Sequence, residues 1–444
     1  MTVVSTQSRQ ECLVTPLLLC SSFGKFLYDL GGAAVASIVV VDPYSAGKGI
    51  APAFADRGVD AIAVLTTPEP PAGLAKSWIP ENYREVHVLS DLDDLAAKLA
   101  VHEPIAVVPG TETGVETAEA LSELIAPGRS NVLSLSSARR DKWQMAVALR
   151  SADVPHLRQI SSDNADEVAA WLRREGLEGA PIVLKPQESG GTDDVFVAQP
   201  GDDWRAKFGR ILGSVNKLNI RNDRVLVQEL ALGTEYEVDT YSIDGHHGLA
   251  AVWRYAKECR GDRLGIYLSN TLVADDEPVV DVLFDYVCQV LDATGVRNGP
   301  AHVEVMITSD GPRLIEIGAR LAGAEQQELT MIGARESQIT RMVRHRVDDS
   351  ADVSRYTQHQ HVKSVYLSSP AAGELGNAVR FDSLPELLPT FQRAVLPYRE
   401  GSQVPRTEDL WTSLGYVVLA STDISLLERD EALVREIEAE LIVV

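Results

Sequence analysis

Cysteine is scarce in this chain. It occurs four times in 444 residues, at positions 12, 20, 259 and 288, with no Cys-x-x-Cys pair and no spacing typical of metal ligands. We therefore expect buried free thiols in a reducing compartment. No apolar run reaches membrane-spanning length. The N-terminus also lacks a basic region followed by a long apolar stretch, so no signal peptide is predicted and the expected location is the cytoplasm.

Basic residues are in deficit too. Lys and Arg number 41 against 64 Asp and Glu, a net charge of −23, which argues against nucleic acid or an anionic membrane as a partner. A local basic pocket for a phosphate ligand is still compatible with this charge. A P-loop is absent, because Asp42 and Gly49 stand where the motif needs Gly and Ser or Thr. GxGxxG, which marks dinucleotide sites, and HExxH are absent as well.

What is present first is an alternation of short apolar runs with helix-length segments. The runs are residues 13–19, 37–41, 61–65, 86–89 and 105–108, and two of the intervening segments are 51–57 and 92–100. This order predicts an open parallel sheet. Ligands bind at the carboxyl ends of such strands. Loops 42–47 and 109–114 are therefore candidate pocket loops, with ordinary turns as the equal alternative.

Residues 301–323 predict a hairpin of two strands around a tight turn at 309–311. If a three-residue loop pairs Thr308 with Pro312, Glu304 lies opposite Glu316, about 5 Å apart at Cβ. Two such carboxylates repel each other unless a cation lies between them, and Mg²⁺ suits them. Arg320 adds positive charge at the strand end. The alternative is a solvated hairpin with its acidic residues facing water.

Two lysines precede this hairpin. Ser136 and Ser137 are predicted to cap a helix that carries Lys142. Lys185 ends an apolar strand at 180–186, and the following loop holds Gly190 and Gly191, which suits phosphate binding. A surface loop with a solvated lysine is the alternative.

Further along, strands at 224–230 and 233–239 would form a hinge able to face an adenine and a ribose. Arg254 and Lys257 could face an anionic substrate or merely pair with nearby acids. Past residue 345 we expect strands at 361–367 and 415–421, and helices at 384–393 and 430–442.

Taken in order, these signals resemble the ATP-grasp superfamily of carboxylate–amine ligases, and among them the L-amino acid ligases that make dipeptides and are related to carnosine synthase. The resemblance implies an α/β fold that is α+β in the middle. Residues 1–136 would form an open parallel α/β domain, 137–345 a two-subdomain ATP-grasp domain with a lid at about 180–240, and 346–444 a C-terminal α+β domain.

The resemblance also implies roles. ATP would be held by Lys142, Lys185, Ser189, Gly190, Gly191, Gln228, Glu229, Leu230, Ala231 and Glu235. Gln228 would face the adenine amino group, the Glu229 to Ala231 backbone the ring, and Glu235 the ribose. Mg²⁺ would be held by Glu304 and Glu316. Arg320 and Lys185 would be catalytic, and Arg320 would hold the substrate carboxylate. Separately from the resemblance, the charges of Arg254 and Lys257 and the small side chain of Ala324 make these residues candidates for substrate contact.

The implied activity is ATP-dependent coupling of an amino acid carboxylate, activated as an acyl phosphate, to an amine, with ADP and phosphate released. It would use two Mg²⁺ ions, replaceable by Mn²⁺, in a homodimer with small amino acid substrates. Many ATP-grasp enzymes carry Asn where Gly318 stands, but amino acid ligases often lack it, so the glycine favours that branch while it leaves the second ion one ligand short. The alternatives are another ATP-grasp carboxylate ligase, a carboxylase, although no biotinyl-domain motif is visible, or a non-catalytic ATP-binding protein.

Overall fold

The structure is a computed structural model that describes residues 36–261, 263–348, 350 and 352–444. The strand expected at 13–19, Cys12 and Cys20 lie outside these residues. Of the described cysteines, Cys288 is half-buried and Cys259 is exposed, so the expectation of a buried thiol is wrong for Cys259. Within the described part of the chain, no helix has both the length and the apolar character needed to cross a membrane.

The N-terminal part is a parallel sheet, as predicted, and its strands lie in the order β3-β2-β1-β4. Its strands are β1 (Ser37–Val41), β2 (Asp60–Leu65), β3 (Glu85–Val88) and β4 (Ala106–Pro109), and its helices are α1 (Ile50–Ala55), α2 (Leu92–Ala100) and α3 (Val115–Ile125). Successive residues of β1 point to opposite faces. Val39 and Val41 pack under α2 and α3, while Ile38 and Val40 pack with α1 and with Met342 from the central part. Both faces are therefore buried, which explains the continuous apolar runs.

The central part carries most of an antiparallel sheet of twelve strands. Its strands are β5 (Gln159–Ser162), β6 (Ile182–Pro186), β7 (Phe196–Ala198), β8 (Val225–Glu229), β9 (Gly233–Ile243), β10 (His246–Arg260), β11 (Arg263–Leu272), β12 (Gly299–Thr308) and β13 (Gly311–Gly318). Its helices are α4 (Lys142–Ser151), α5 (Ala165–Arg174), α6 (Trp204–Ile211), α7 (Pro278–Ala293), α8 (Gln326–Ala334) and α9 (Gln338–Val343). The spatial order is β13-β12-β9-β10-β11-β7-β6-β8-β5, so the last hairpin forms one edge of the sheet.

The C-terminal part adds β14 (His361–Leu367), β15 (Gly373–Gly376), β16 (Phe391–Val395), β17 (Gln403–Val404), β18 (Gly415–Ser421), β19 (Ile442–Val443), α10 (Leu384–Leu387) and α11 (Ile424–Ala439). The predicted helix at 384–393 is wrong beyond Leu387, because Pro389 holds the preceding residue in an extended conformation and the chain then enters β16. Strand β14 pairs with β11, so the central sheet continues across the expected boundary after residue 345. The three domain bounds stay predictions.

Candidate active site

The two glutamates of the β12–β13 hairpin face each other. Glu304 pairs with Glu316, so the prediction of opposed carboxylates is confirmed. The predicted pairing of Thr308 with Pro312 is wrong, because Thr308 pairs with Gly311 across a two-residue turn. A register shift beside Glu304 inserts one extra residue in β13 and so restores the opposition of the glutamates.

These carboxylates line a pocket of about 520 Å³, a volume within the range of small-molecule sites. Most of the residues singled out in the sequence line it as well: Lys142, Lys185, Ser189, Gly190, Gly191, Gln228, Leu230, Ala231, Glu235, Lys257, Arg320 and Ala324. The side chains of Glu229 and Arg254 do not. Residues spread over nearly two hundred positions are thus brought to one cavity, although the role of each stays a prediction.

Lys142 enters the pocket at the start of α4. Asp141 caps this helix, since its carboxylate accepts hydrogen bonds from two backbone N–H groups of the first turn. The expected cap at Ser136 and Ser137 is therefore wrong, because both residues lie in a separate 3₁₀ segment, Leu133–Arg139. The consequence for the site is that Lys142 is the first helical residue rather than one in mid-helix.

Buried cations lie next to the glutamates. Lys142 Nζ lies 2.9 Å from Glu316 Oε2 and donates a 3.3 Å hydrogen bond to the Ser189 carbonyl oxygen. Burial and the like charge of Lys142 lower the pKa of Lys185 to about 8. Burial alone would raise the pKa of Glu304, but neighbouring cations, Lys142 among them, lower it to about 2. The pocket therefore combines anionic and cationic groups that a metal–phosphate ligand could share.

The glycine loop after β6 packs on an indole from the C-terminal part. Gly191 has a φ of +67°, and a Cβ there would lie 2.7 Å from Trp411 Nε1. The same nitrogen donates a 3.4 Å hydrogen bond to the Gly190 carbonyl oxygen. Position 191 therefore favours glycine for both its conformation and its packing. The loop backbone lies at the pocket wall, where it can approach a ligand closely.

The hinge between β8 and β9 borders the pocket mainly with backbone and apolar groups. Leu230 and Ala231 line the cavity, as does Gln228, whose Nε2 donates to a glutamine on β5. The Glu229 carboxylate instead accepts a 2.7 Å hydrogen bond from Arg158 Nε. The side chain of Glu229 is therefore engaged, which leaves its backbone to contact a ligand. The resemblance gives a role to this backbone and not to the side chain.

Lys257 and Arg254 lie on opposite sides of β10. Lys257 Nζ lies 2.6 Å from Glu235 Oε1 in the pocket wall and 4.4 Å from the ring centroids of Tyr255 and Tyr267. Arg254 is exposed and pairs at 3.7 Å with a surface glutamate. Since successive strand residues face opposite ways, the expected contact of Arg254 with an anionic substrate is not supported.

Arg320 and Ala324 are met by the two loops that the sequence predicted at the carboxyl edge of the parallel sheet. Glu112 accepts a 2.6 Å hydrogen bond from Arg320 Nε, and Ser45 Oγ accepts one of 3.1 Å from the Ala324 backbone. The sequence pointed to both loops but not to Glu112 itself. Loops of the N-terminal sheet thus contact two residues that line the pocket, without lining it themselves.

A comparison with protein families identifies one region of the chain. Residues 178–328, which include β6 to β13, match a family model described as an ATP-grasp domain. This part of the chain, about a third of it, is therefore similar to an ATP-grasp domain. The glycine loop, the hinge and both glutamates lie within the matched range.

Two curated proteins and a solved structure are similar to this chain. Dapdiamide A synthase from Enterobacter agglomerans is 29% identical over 413 residues, which cover 91% of this chain and 96% of that protein. The L-arginine-specific L-amino acid ligase of Bacillus subtilis is 20% identical over 249 residues, 54% of this chain and 58% of that protein. The structure of L-amino acid ligase from Bacillus licheniformis shares the fold with a TM-score of 0.66 at 14% identity, covering 93% of this chain and 99% of that one.

Sequence reasoning missed a buried polar cluster in the wall of the pocket, where Glu237, His302 and Gln326 line the cavity. His302 Nδ1 lies 3.3 Å from Asp239 Oδ1 and 3.6 Å from Glu237 Oε1, and Gln326 Nε2 donates a 3.0 Å hydrogen bond to Glu237. Burial and the neighbouring Glu237 raise the pKa of Asp239 to about 7. The period-2 spacing of Glu235, Glu237 and Asp239 was the available signal, because it places all three on one face of β9.

Proposed function

We propose that the chain is an ATP-dependent ligase that joins the carboxylate of one amino acid to an amine and releases ADP and phosphate. The observation that carries this proposal is the pocket itself, where two lysines, two opposed glutamates and Arg320 converge. Its sequence similarity to a dapdiamide synthase and an L-amino acid ligase supports an amide product. That the carboxylate donor is an amino acid is itself part of this proposal.

ATP would lie along the pocket with its adenine at the hinge and its phosphates under the glycine loop. Leu230 and Ala231 would contact the ring, Gln228 the adenine amino group, and Glu235 the ribose. Lys142 and Lys185 would contact the phosphates, with the Ser189 to Gly191 backbone above them. The lysines supply positive charge in an acidic chain, and the loop supplies N–H donors.

The residues present fit a divalent cation. Glu304 and Glu316 are opposed hard-oxygen donors, and without a metal Glu316 is neutralised by Lys142 at 2.9 Å. These glutamates would hold Mg²⁺, which neutralises phosphate charge when it is bound. Gly318 offers no side-chain ligand, so whether one ion or two are held stays a prediction, as does replacement by Mn²⁺.

The chain's own residues would then act in two steps. In the first, a carboxylate oxygen of the donor attacks the γ-phosphorus and ADP leaves, while Lys142 and Lys185 neutralise the transferring group. In the second, an amine attacks the acyl carbon, Arg320 stabilises the developing oxyanion, and the phosphate leaves with the acyl C–O bond pair. Because water would destroy the acyl phosphate, the glycine loop and the lid subdomain would close over the pocket.

The proposal is tested by phosphate release from Mg-ATP across pairs of amino acids, with a Glu316→Ala variant alongside. We expect release that needs a specific pair and is lost in the variant, because one metal carboxylate is gone. A carboxylase would need bicarbonate instead. ATP binding without release for any pair would contradict the dipeptide proposal. The homodimer and the cytoplasmic location stay predictions.

A further inference from the structure

Arg320 is held from behind by a carboxylate of the N-terminal sheet. Its Nε donates a 2.6 Å hydrogen bond to Glu112 Oε2, and its Nη1 donates one of 2.8 Å to the Leu321 carbonyl oxygen. These are its hydrogen bonds among the residues described, so Nη2 is left for a ligand. Glu112 does not line the pocket. Among the described residues, Arg320 is the pocket-lining residue to which it is hydrogen-bonded.

Glu112 is itself fixed between two guanidinium groups. It is 6% exposed, and its second oxygen lies 3.3 Å from Arg140 Nη1. Burial alone would raise the pKa of Glu112, but Arg320 and Arg140 lower it. A buried carboxylate bonded on both oxygens has little freedom to move, so it determines the orientation of the guanidinium that it holds.

Gly318 provides the space for this pair. A Cβ at residue 318 would lie 3.0 Å from Glu112 Oε2 and 3.3 Å from Arg320 Nε. Many ATP-grasp enzymes carry Asn at this position, and a side chain there would require the Glu112–Arg320 pair to shift by a few tenths of an ångström. The glycine and the glutamate, far apart in sequence, therefore belong to one arrangement.

We propose that Glu112 is a positioning residue that holds Arg320 for the acyl-transfer step, and that Gly318 is required to make room for it. The inference rests on the ligase function proposed above. In that reaction, the guanidinium must meet the negative charge that develops on the acyl oxygen, and a small displacement of a preorganised charge weakens this stabilisation strongly.

The test begins with Glu112→Gln, which keeps the size of the side chain and removes its charge. We expect kcat to fall about 10- to 100-fold, the range found for residues that orient metal ligands, while the KM for ATP stays within about twofold. Gly318→Ala, which crowds the pair without touching the substrate, should lower kcat in the same direction. Glu123→Gln changes an exposed carboxylate on the adjoining helix and should leave kcat unchanged.

The decisive measurement repeats both substitutions in an Arg320→Lys background. If Glu112 acts through Arg320, neither substitution lowers kcat further there, because the groups act as a unit. Equal losses in both backgrounds, or full activity of Glu112→Gln, would overturn the inference while the ligase function stands. A wild-type protein that releases no phosphate with any amino acid pair would instead remove the ligase function and the inference together.

Discussion

The buried Lys185 makes the proposed nucleotide site testable, because the affinity for ADP should depend on pH. Lys185 is 5% exposed, and burial together with Lys142 lowers its pKa to about 8. About nine tenths of the molecules then carry this charge at pH 7, and about one tenth at pH 9. If phosphate binds only to the charged lysine, the affinity for ADP should fall about tenfold between these pH values, or about 1.4 kcal/mol.

The direction of each pH effect follows from the linkage between proton binding and ligand binding or folding. A phosphate favours the charged lysine and raises its pKa, so nucleotide binding should take up protons between about pH 8 and the ordinary lysine pKa near 10.4. For the unliganded protein the direction is reversed. The unfolded chain binds the lysine proton more tightly than the folded one, so the free energy of unfolding should rise as pH increases through 8.

Isothermal titration calorimetry with ADP at pH 7, 8 and 9 would measure both the affinity for ADP and the number of protons taken up on binding. EDTA keeps metal ions from altering the local charge, and two buffers with different ionisation enthalpies count the protons taken up. Lys185→Arg is the matched control, because arginine stays charged over this range and its affinity should not depend on pH. A wild-type affinity that is flat from pH 7 to 9, or the same slope in Lys185→Arg, would refute the reasoning.

Three further predictions concern stability, specificity and the lid. Arg139→Met strips the buried Glu119 of hydrogen bonds of 2.6 and 2.7 Å and should cost about 3–5 kcal/mol in urea unfolding, against less than about 1 kcal/mol for the exposed Arg57→Met. Ala324→Trp narrows the pocket beside Arg320 and should shift phosphate release towards smaller acyl donors; an unchanged preference rejects this idea. Trp411→Ala removes the indole from the glycine loop and should raise the ratio of phosphate released to amide formed, whereas an unchanged ratio contradicts the lid role.

Elements with strong local patterns were predictable from the sequence. Strands β1, β14 and β18 and helix α2 have the predicted bounds, because each is a short run with the right period between turn or cap residues. The error at 384–393 arose where an apolar spacing of helical type was interrupted by Pro389, which removes a backbone donor and the preceding helical conformation. The cap of α4 was misjudged because two serines and Asp141 compete over a few residues, and only tertiary packing decides among them.

The order of the site's residue types along the chain was predictable from the sequence, but most of the contacts between them were not. The opposition of Glu304 and Glu316 followed from local strand geometry, even though the turn was one residue shorter than expected. No local pattern states that a glutamate on a loop of the parallel sheet will hold Arg320, because that contact depends on how two sheets pack.

Gly318 shows why this matters for function. Compared with ATP-grasp enzymes that carry Asn at this position, Gly318 lacks a side-chain amide that could bind a metal. A Cβ at this position would lie 3.0 Å from Glu112 Oε2, so under the proposed role of Glu112 the glycine leaves the space in which a buried anion orients Arg320. A Gly318→Asn substitution should therefore lower kcat even if its amide can reach a metal ion, since its Cβ would push Glu112 and Arg320 apart from their present contact by a few tenths of an ångström.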